Sequence, residues 1–294
     1  MDDTGAATTN TTGPDGRLNP NGVGALTFTP ELTPNVVFLV LFIALILGQI
    51  GLAVKFWRYY GYAIGMIGGL LLELLGYAAK VQLSNDQMNK NGYIMYIIGL
   101  TLGPTFLSSS LYLGISTLQR NYHGAKFHRI KPHIFATLFI LGDFLCLCFI
   151  GCGGSLAAIF AENPIGVDLM IAGLAVQVLF TAIFCLLLYL IYRKIYWELK
   201  QYGRHWYMIG AAVAAACLFI RSCWRVAELN GGFNGPLSSK EGLFIALDSV
   251  PISIMCILLT IFHPGFWFTE KRMGLPMYKE RRASRARQWH GAKY

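Results

Sequence analysis

The chain has 294 residues, of which 55% are hydrophobic and only 13% are charged. Soluble domains carry about 25% charged residues, so this composition excludes an ordinary soluble fold and indicates a membrane protein. In a membrane protein, the formal net charge of +9 is informative about topology, since topology depends on which side of the membrane the positive residues lie. Nucleic acid is not an expected partner.

Seven apolar runs are long enough to cross a bilayer, which takes about 20 residues in helical form. The breaks between them carry Asn, Asp, Pro and Gly, which are typical of turns. The runs extend over about residues 35–55, 61–83, 93–118, 134–158, 166–192, 207–229 and 242–263. The sequence therefore predicts an all-α membrane protein, a bundle of seven transmembrane helices.

The two ends of the chain differ from the membrane domain predicted at 35–265. Residues 1–34 are rich in Thr, Asn, Gly and Pro, so we expect them to be disordered. They lack the basic and apolar regions of a cleaved signal peptide. Residues 266–294 form a polybasic tail, expected to fix topology and to contact anionic lipid of the cytoplasmic leaflet.

The distribution of lysine and arginine predicts the orientation. Loops 1–2, 3–4 and 5–6 and the tail together carry 18 of these residues, whereas the other side carries three, Arg17, Lys90 and Lys240. Because cytoplasmic loops are enriched in Lys and Arg, the N-terminus is predicted outside and the C-terminus in the cytoplasm. Asn10, in the sequence Asn10-Thr11-Thr12, is then a candidate N-glycosylation site.

Apart from Lys55 and Asp168, which lie at the ends of their spans, seven charged side chains fall inside the predicted spans, where each costs at least about 2.5–3.5 kcal/mol on insertion and usually faces the bundle interior. They are Glu73, Lys80, Asp143, Arg221, Arg225, Glu228 and Asp248. The predicted span directions place all of them except Asp143 in the outer half of the membrane. Because a buried unpaired guanidinium is not tolerated, we expect the two arginines to pair with Glu73 and Asp248.

Glycines mark the helix faces that pack closely. Gly61, Gly65 and Gly69 recur every four residues in the second span, and Glu73 continues the same face. Gly99 and Gly103 repeat the spacing in the third span. Small residues at this interval let two membrane helices approach each other, so Glu73 is predicted to point at a neighbouring helix.

The charged residues have two interpretations. One is an ion-pair network that only fixes the register of the helices. The other is a polar cavity that binds the head group of an amphiphile or relays protons, which Tyr112, Gln177 and the cluster Ser108–Ser110 would extend.

Catalytic and cofactor motifs are missing from the sequence. There is no Gly-x-x-x-x-Gly-Lys-Ser/Thr phosphate loop, and the six histidines fall in loops, at span ends or in the tail. The seven cysteines lie inside the apolar runs, which argues against a disulfide framework. Cys148 and Cys152, four residues apart, are a weak candidate for metal. We therefore predict no enzyme, no cofactor and no metal site.

Several stretches resemble one known family. They are "ELLGYAAK" from Glu73, "GPTFLSSSLYL" from Gly103, "LGDFLCLCFIGCGG" from Leu141, "GLAVQ" from Gly173 and "RSCWRVAELNGGFNGPLSSKEGLFIALDSVP" from Arg221. Over residues 35–265 the chain is similar to the fungal lipid-translocating exporters, which include sphingoid long-chain-base transporters and aminocholesterol-resistance proteins. Three positions depart from the family pattern: Lys80 replaces arginine, Ile150 replaces glutamine and Trp224 replaces tyrosine.

The resemblance implies seven spans and the export or translocation of amphiphiles such as sphingoid bases, sterol-like amines or lipophilic toxins. With no nucleotide site, transport would be proton-coupled or passive. The alternative is a seven-span lipid-sensing receptor without transport activity. Membrane lipids or amphiphilic small molecules are the expected partners, and the plasma membrane the expected location, with endomembranes or the vacuole as alternatives. The oligomeric state is not predicted.

Overall fold

A computed structural model describes residues 31–85, 90–121, 132–159, 165–201, 204–230 and 241–268. This part of the chain contains seven helices that are long and apolar enough to cross a membrane, as predicted. Asn10 and the tail from 269 onward lie outside the described residues, as does the segment 1–30 within the predicted disordered N-terminus.

The first six helices are continuous, and the seventh has three consecutive segments. The helices are α1 (Leu32–Lys55), α2 (Tyr60–Asn85), α3 (Lys90–Asn121), α4 (Pro132–Ile159), α5 (Ile165–Gln201), α6 (His205–Asn230), α7 (Glu241–Phe244, Ile245–Ser249 and Val250–Ile261) and the short α8 (Pro264–Trp267).

Helix α5 continues beyond its predicted end at 192, as far as Gln201. The apolar run stops at Arg193 and Lys194, but the buried face of the helix continues beyond them. Ile191, Ile195 and Leu199 follow one another at four-residue intervals, and all three are buried. An amphipathic helix of this kind keeps its inner face apolar while charges cover the outer face.

The helices form a closed ring in chain order, with α3 also reaching the inside. Each helix packs against the next one, and α7 packs against α1. Two side-chain pairs close the ring: Asn35 Nδ2 donates to Glu241 Oε1 at 3.2 Å, and Gln49 Nε2 donates to Thr260 Oγ1 at 2.8 Å. Helix α3 contacts α6 and α7 in addition to its neighbours, so its side chains line the interior of the bundle.

Helices α2 and α3 pack most closely, and glycines permit it. A Cβ atom on Gly99 would lie 2.6 Å from the backbone of both Gly76 and Leu72. A Cβ atom on Gly69 would lie 2.6 Å from Leu107 Cγ. The close packing predicted from Gly69, Gly99 and Gly103 is confirmed, and Gly76 is a further contact that the four-residue interval does not include.

Replacing Gly99 by alanine is expected to destabilise the bundle, by about 1–3 kcal/mol as for other overpacked cores. The new methyl group meets backbone atoms of α2, which cannot rotate away. The midpoint of thermal unfolding in detergent checks this result. Gly51→Ala is the matched control, since nothing lies within 4 Å of its Cβ position and alanine favours a helix by about 1 kcal/mol. Equal effects of the two substitutions would contradict the close-packing argument.

The segment Ile245–Ser249 of α7 is a π-helix, and it ends two residues before Pro251. Proline has no backbone N–H, so it cannot donate the α-helical hydrogen bond to the carbonyl of Leu247. The widened turn accommodates this missing bond. Asp248 and Ser249 both lie in this segment, and both are fully buried. Such π-segments are frequent at functional sites.

Candidate functional site

Arg221 of α6 lies at the centre of a buried ion-pair cluster. Its NH1 atom is 3.2 Å from Asp248 Oδ2 on α7, and its NH2 atom is 3.6 Å from Glu73 Oε1 on α2. NH2 also donates a hydrogen bond of 2.5 Å to the carbonyl oxygen of Leu100 on α3. Four helices therefore meet at one guanidinium, and the predicted pairing with Glu73 and Asp248 is confirmed.

Arg225, one turn further along α6, shares the same aspartate. Its Nε and NH2 atoms donate to the two carboxylate oxygens of Asp248 at 3.0 and 3.3 Å. Its NH1 atom donates to Glu228 Oε2 at 3.1 Å. A bidentate arginine–carboxylate contact is geometrically specific and strong. Asp248 is thus the residue that holds both arginines in place.

Lys80 of α2 reaches the cluster through aromatic rings. Its Nζ atom lies 3.5 Å from the ring centre of Phe244 and 5.6 Å from that of Tyr96. The guanidinium of Arg225 lies 5.5 Å from the same Phe244 ring. A cation over an aromatic face is stabilised by the ring quadrupole, more so when water is excluded. Phe244 therefore connects Lys80 to Arg225, and no spacing or charge in the sequence distinguishes it from the other phenylalanines.

The cluster is electrically balanced. Its acidic members are Glu73, Glu228 and Asp248, and its basic members are Lys80, Arg221 and Arg225. The side chains of Arg225 and Glu228 are 21% and 15% exposed, whereas those of Glu73 and Asp248 are fully buried. The cluster thus has an accessible end at Arg225 and Glu228 and a closed end at Glu73.

Glu73 accepts no hydrogen bond from any residue that the structure describes, at either carboxylate oxygen. The hydroxyl groups of Tyr77 and Ser249 lie near each other and near Glu73, and neither makes a hydrogen bond of good geometry in the same part of the chain. Buried polar atoms are nearly always satisfied, so unpaired ones require an explanation. A carboxylate and two hydroxyl groups in this state can bind an ammonium or hydroxyl group brought in from outside.

Asp143 of α4 stands apart from this cluster, although the sequence grouped it with the other charges. Its Oδ2 atom accepts hydrogen bonds from Ser108 at 2.7 Å and from Tyr112 at 2.9 Å, both on α3. Tyr112 therefore joins Asp143 and does not touch the arginines. Gln177 of α5 is half-buried and joins neither group in the described part of the chain, where its backbone carbonyl accepts from Thr181.

The described residues contain no group of three or more His, Cys, Asp and Glu side chains that could hold a metal ion. Cys148 and Cys152, the weak candidates from the sequence, are both exposed on the outer surface of α4. In a membrane bundle that surface faces lipid. The polar chemistry that the structure describes is therefore that of ion pairs, hydroxyl groups and aromatic rings.

Several characterised yeast proteins are similar to this chain. The sphingoid long-chain base transporter RSB1 of Saccharomyces cerevisiae is 28% identical over 262 residues, which cover 75% of this chain and 68% of that protein. Protein RTA1 of the same yeast is 24% identical over 265 residues, covering 81% of this chain and 84% of its own length. Protoporphyrin uptake protein 1 is 24% identical over 200 residues, covering 66% of this chain and 65% of its own length.

No solved structure matches the chain. The sequence profile of the RTA1-like proteins matches residues 66–271. This range includes every member of the charge cluster, from Glu73 to Asp248, and also Asp143. The match covers well over half of the chain, which therefore belongs to the family of RTA1-like proteins.

Proposed function

We propose that the protein is a membrane transporter that translocates or exports amphiphilic lipids and lipophilic toxins, and so gives resistance to them. The observation that carries the proposal is the neutral, buried charge cluster with Glu73 at its closed end, where Glu73 accepts no hydrogen bond from the described residues. Such a cluster offers a polar route for a head group, while the hydrocarbon chain stays in the surrounding lipid. The three carboxylates suit a cationic head group, and the arginines hold them ionised or bind an anionic one.

Transport is favoured over lipid sensing by the relatives. One is named a sphingoid long-chain base transporter and another a protoporphyrin uptake protein, and both names denote movement of a lipophilic molecule. We extend this activity to the present chain and assign it no catalytic residue and no cofactor. Membrane lipids or amphiphilic small molecules are its proposed substrates.

The proposed topology has the N-terminus outside, the C-terminus in the cytoplasm and the charge cluster in the outer half of the plasma membrane. The basic tail then contacts anionic lipid of the cytoplasmic leaflet.

In a fungal host, Asn10 is expected to carry a glycan, and Asn10→Gln is expected to abolish the mobility shift caused by endoglycosidase. Labelling of a tag at the N-terminus in intact cells is the independent check, and a tag accessible only after permeabilisation would reverse the orientation. Cell fractionation separates the plasma membrane from the endomembrane and vacuolar alternatives.

Reconstitution tests the function without any partner protein. Purified protein in liposomes is expected to speed the movement of a fluorescent sphingoid base between leaflets, measured by quenching from the outside. Protein-free liposomes, and liposomes with an unrelated seven-helix protein, give the background rate. A rate equal to the background would reject the transporter and favour the lipid-sensing receptor.

A further inference from the structure

Asp143 is a carboxyl group inside the bundle that has no basic partner among the described residues. Its side chain is nearly fully buried, and it accepts hydrogen bonds from the neutral hydroxyls of Ser108 and Tyr112. Its Oδ1 atom has no hydrogen-bond partner among the described residues. The ion pairs of Arg221 and Arg225 do not extend to it. A lone buried carboxylate is a costly arrangement in a membrane.

The groups around Asp143 that can themselves titrate are few. Helix α3 contributes Tyr112, and α4 contributes Cys146, about one turn beyond Asp143. Helix α5 contributes Cys185, which lies next to Tyr112 and donates to the carbonyl oxygen of Ala215. All of these are neutral in their ordinary form near pH 7. Asp143 is therefore the only carboxyl group in this set, and the only one of these groups that is ionised in its ordinary form at that pH.

The position of Ser108 indicates where a proton is held. Its Oγ atom lies 2.7 Å from Asp143 Oδ2 and 2.8 Å from the carbonyl oxygen of Thr105. A serine hydroxyl has one hydrogen, so with an ionised carboxylate only one of these two contacts is a hydrogen bond. When Asp143 is protonated at Oδ2, it donates to Ser108 Oγ, and Ser108 donates to Thr105. Both short contacts are then satisfied.

A row of buried polar side chains on α3 passes this point. Its members are Thr105, Ser108, Tyr112, Ser116 and Gln119, spaced three or four residues apart along one helix face. We call this row the α3 polar stripe. In the proposed topology it runs from the middle of the membrane towards the cytoplasmic end of α3.

The opposite face of α3 borders the charge cluster. A Cβ atom on Gly103 would lie 2.8 Å from Glu73 Oε1, and the carbonyl oxygen of Leu100 accepts from Arg221. Gly103 and Ser108 are roughly 140° apart around the helix axis, so the body of α3 separates Glu73 from Asp143. Helix α3 therefore contacts both sites, one on each face.

We propose that Asp143 is a proton-binding site, connected to the cytoplasmic side by the α3 polar stripe, which couples substrate movement at the charge cluster to a proton gradient through helix α3. This inference rests on the proposed transport function. Protonation changes no covalent bond except the O–H bond of the carboxyl group, and the proton returns to water on the cytoplasmic side. Coupling of one proton per substrate converts a gradient of one pH unit into an accumulation ratio of up to about tenfold.

The test compares wild type with Asp143→Asn, whose amide oxygen still accepts from Ser108 and Tyr112 but binds no proton near neutral pH. In liposomes, a one-unit pH gradient is expected to increase accumulation of the fluorescent sphingoid base several-fold for wild type, and not for Asp143→Asn. The control is Asp168→Asn, since Asp168 is exposed at the first turn of α5. This variant is expected to respond as wild type does. Protein-free liposomes give the accumulation that the pH gradient causes by itself, through protonation of the amine, and this background is subtracted.

Infrared spectroscopy of the purified protein provides an assay that is independent of transport. A protonated carboxylic acid has a carbonyl band that ionised carboxylates lack, and part of this band is expected to disappear in Asp143→Asn but not in Asp168→Asn. An unchanged band would overturn the proposal, as would a gradient response that survives in Asp143→Asn. If the wild type moves substrate but does not respond to the pH gradient, proton coupling is rejected while the proposed transport function stands. If wild type moves nothing, the transport function fails, and with it the coupling, while the infrared band decides only whether Asp143 holds a proton.

Discussion

Asp248→Asn is expected to cause the largest loss of stability among single substitutions in the charge cluster, together with loss of transport. Asp248 binds Arg221 through one oxygen and Arg225 through both. The amide keeps the shape of the side chain but removes its charge. The guanidinium groups of Arg221 and Arg225 then keep only Glu73 and Glu228 as carboxylate partners in the cluster. Removing one partner of a buried pair costs about 3–5 kcal/mol. The yield of folded protein and the midpoint of thermal unfolding in detergent measure this loss.

A second substitution separates stability from function. In Asp248→Asn combined with Arg225→Met, one positive charge is removed for the negative charge lost, and buried ion pairs are often replaceable by apolar groups at little cost. We expect the double variant to recover most of the stability and still to transport poorly. If transport returned together with stability, the cluster would serve only to hold the helices in register. Asp168→Asn, at an exposed position, controls for the loss of one carboxylate.

The seven helices and the partners of Arg221 were predictable from the sequence because both follow from large energy terms. A bilayer requires long apolar helices, and a guanidinium inside it requires carboxylates at the same depth. Glu73 and Asp248 were suitable partners at that depth. The glycine intervals similarly placed Glu73 on the face of α2 that meets α3. These arguments use only spacing, depth and charge, all of which can be read from the chain.

The division of the charges into two groups was not predictable. The predicted depth in the membrane distinguished Asp143 only weakly from the other charged residues. Its partners Ser108 and Tyr112 can be identified only when the rotation of α4 about its axis is known. The sequence fixes no such rotation, because the hydrophobic pattern of a helix with lipid on one side and an apolar core on the other is nearly uniform. Gln177 was assigned to the cavity for the same reason, although in the structure it joins neither group.

The π-segment and the contacts of Phe244 also escaped prediction. A proline at 251 signals a local change in backbone hydrogen bonding, but it does not specify a π-turn. The burial of Asp248 together with its neighbour Ser249 depends on that turn. Lys80 was expected to be one of the interior charges, but its position over the ring of Phe244 was not predicted. Its long side chain could have reached a carboxylate or a ring, and only the packing of α2 against α7 decides between them.

Glu73→Gln is expected to impair transport more selectively than any other substitution in the cluster. Glu73 makes one ion pair, at 3.6 Å, and accepts no hydrogen bond from the described residues. Arg221 keeps Asp248 and the Leu100 carbonyl when Glu73 becomes neutral, so the loss of stability should be smaller than for Asp248→Asn. A hydrogen bond to a charged group is worth about 1.5–3 kcal/mol. Movement of a cationic sphingoid base should therefore slow by at least roughly tenfold.

The matched substrate for this measurement is the same base with its amine acylated, which has the same chain and hydroxyl groups but no charge. If Glu73 binds the ammonium group, Glu73→Gln should slow the cationic base and leave the neutral analogue nearly unaffected. An equal slowing of both would indicate that Glu73 only maintains the helix packing. Glu198→Gln, on the exposed face of α5, should affect neither substrate. A selective loss would identify Glu73 as a contact of the head group, because helix register alone cannot discriminate between two substrates that differ only at the amine.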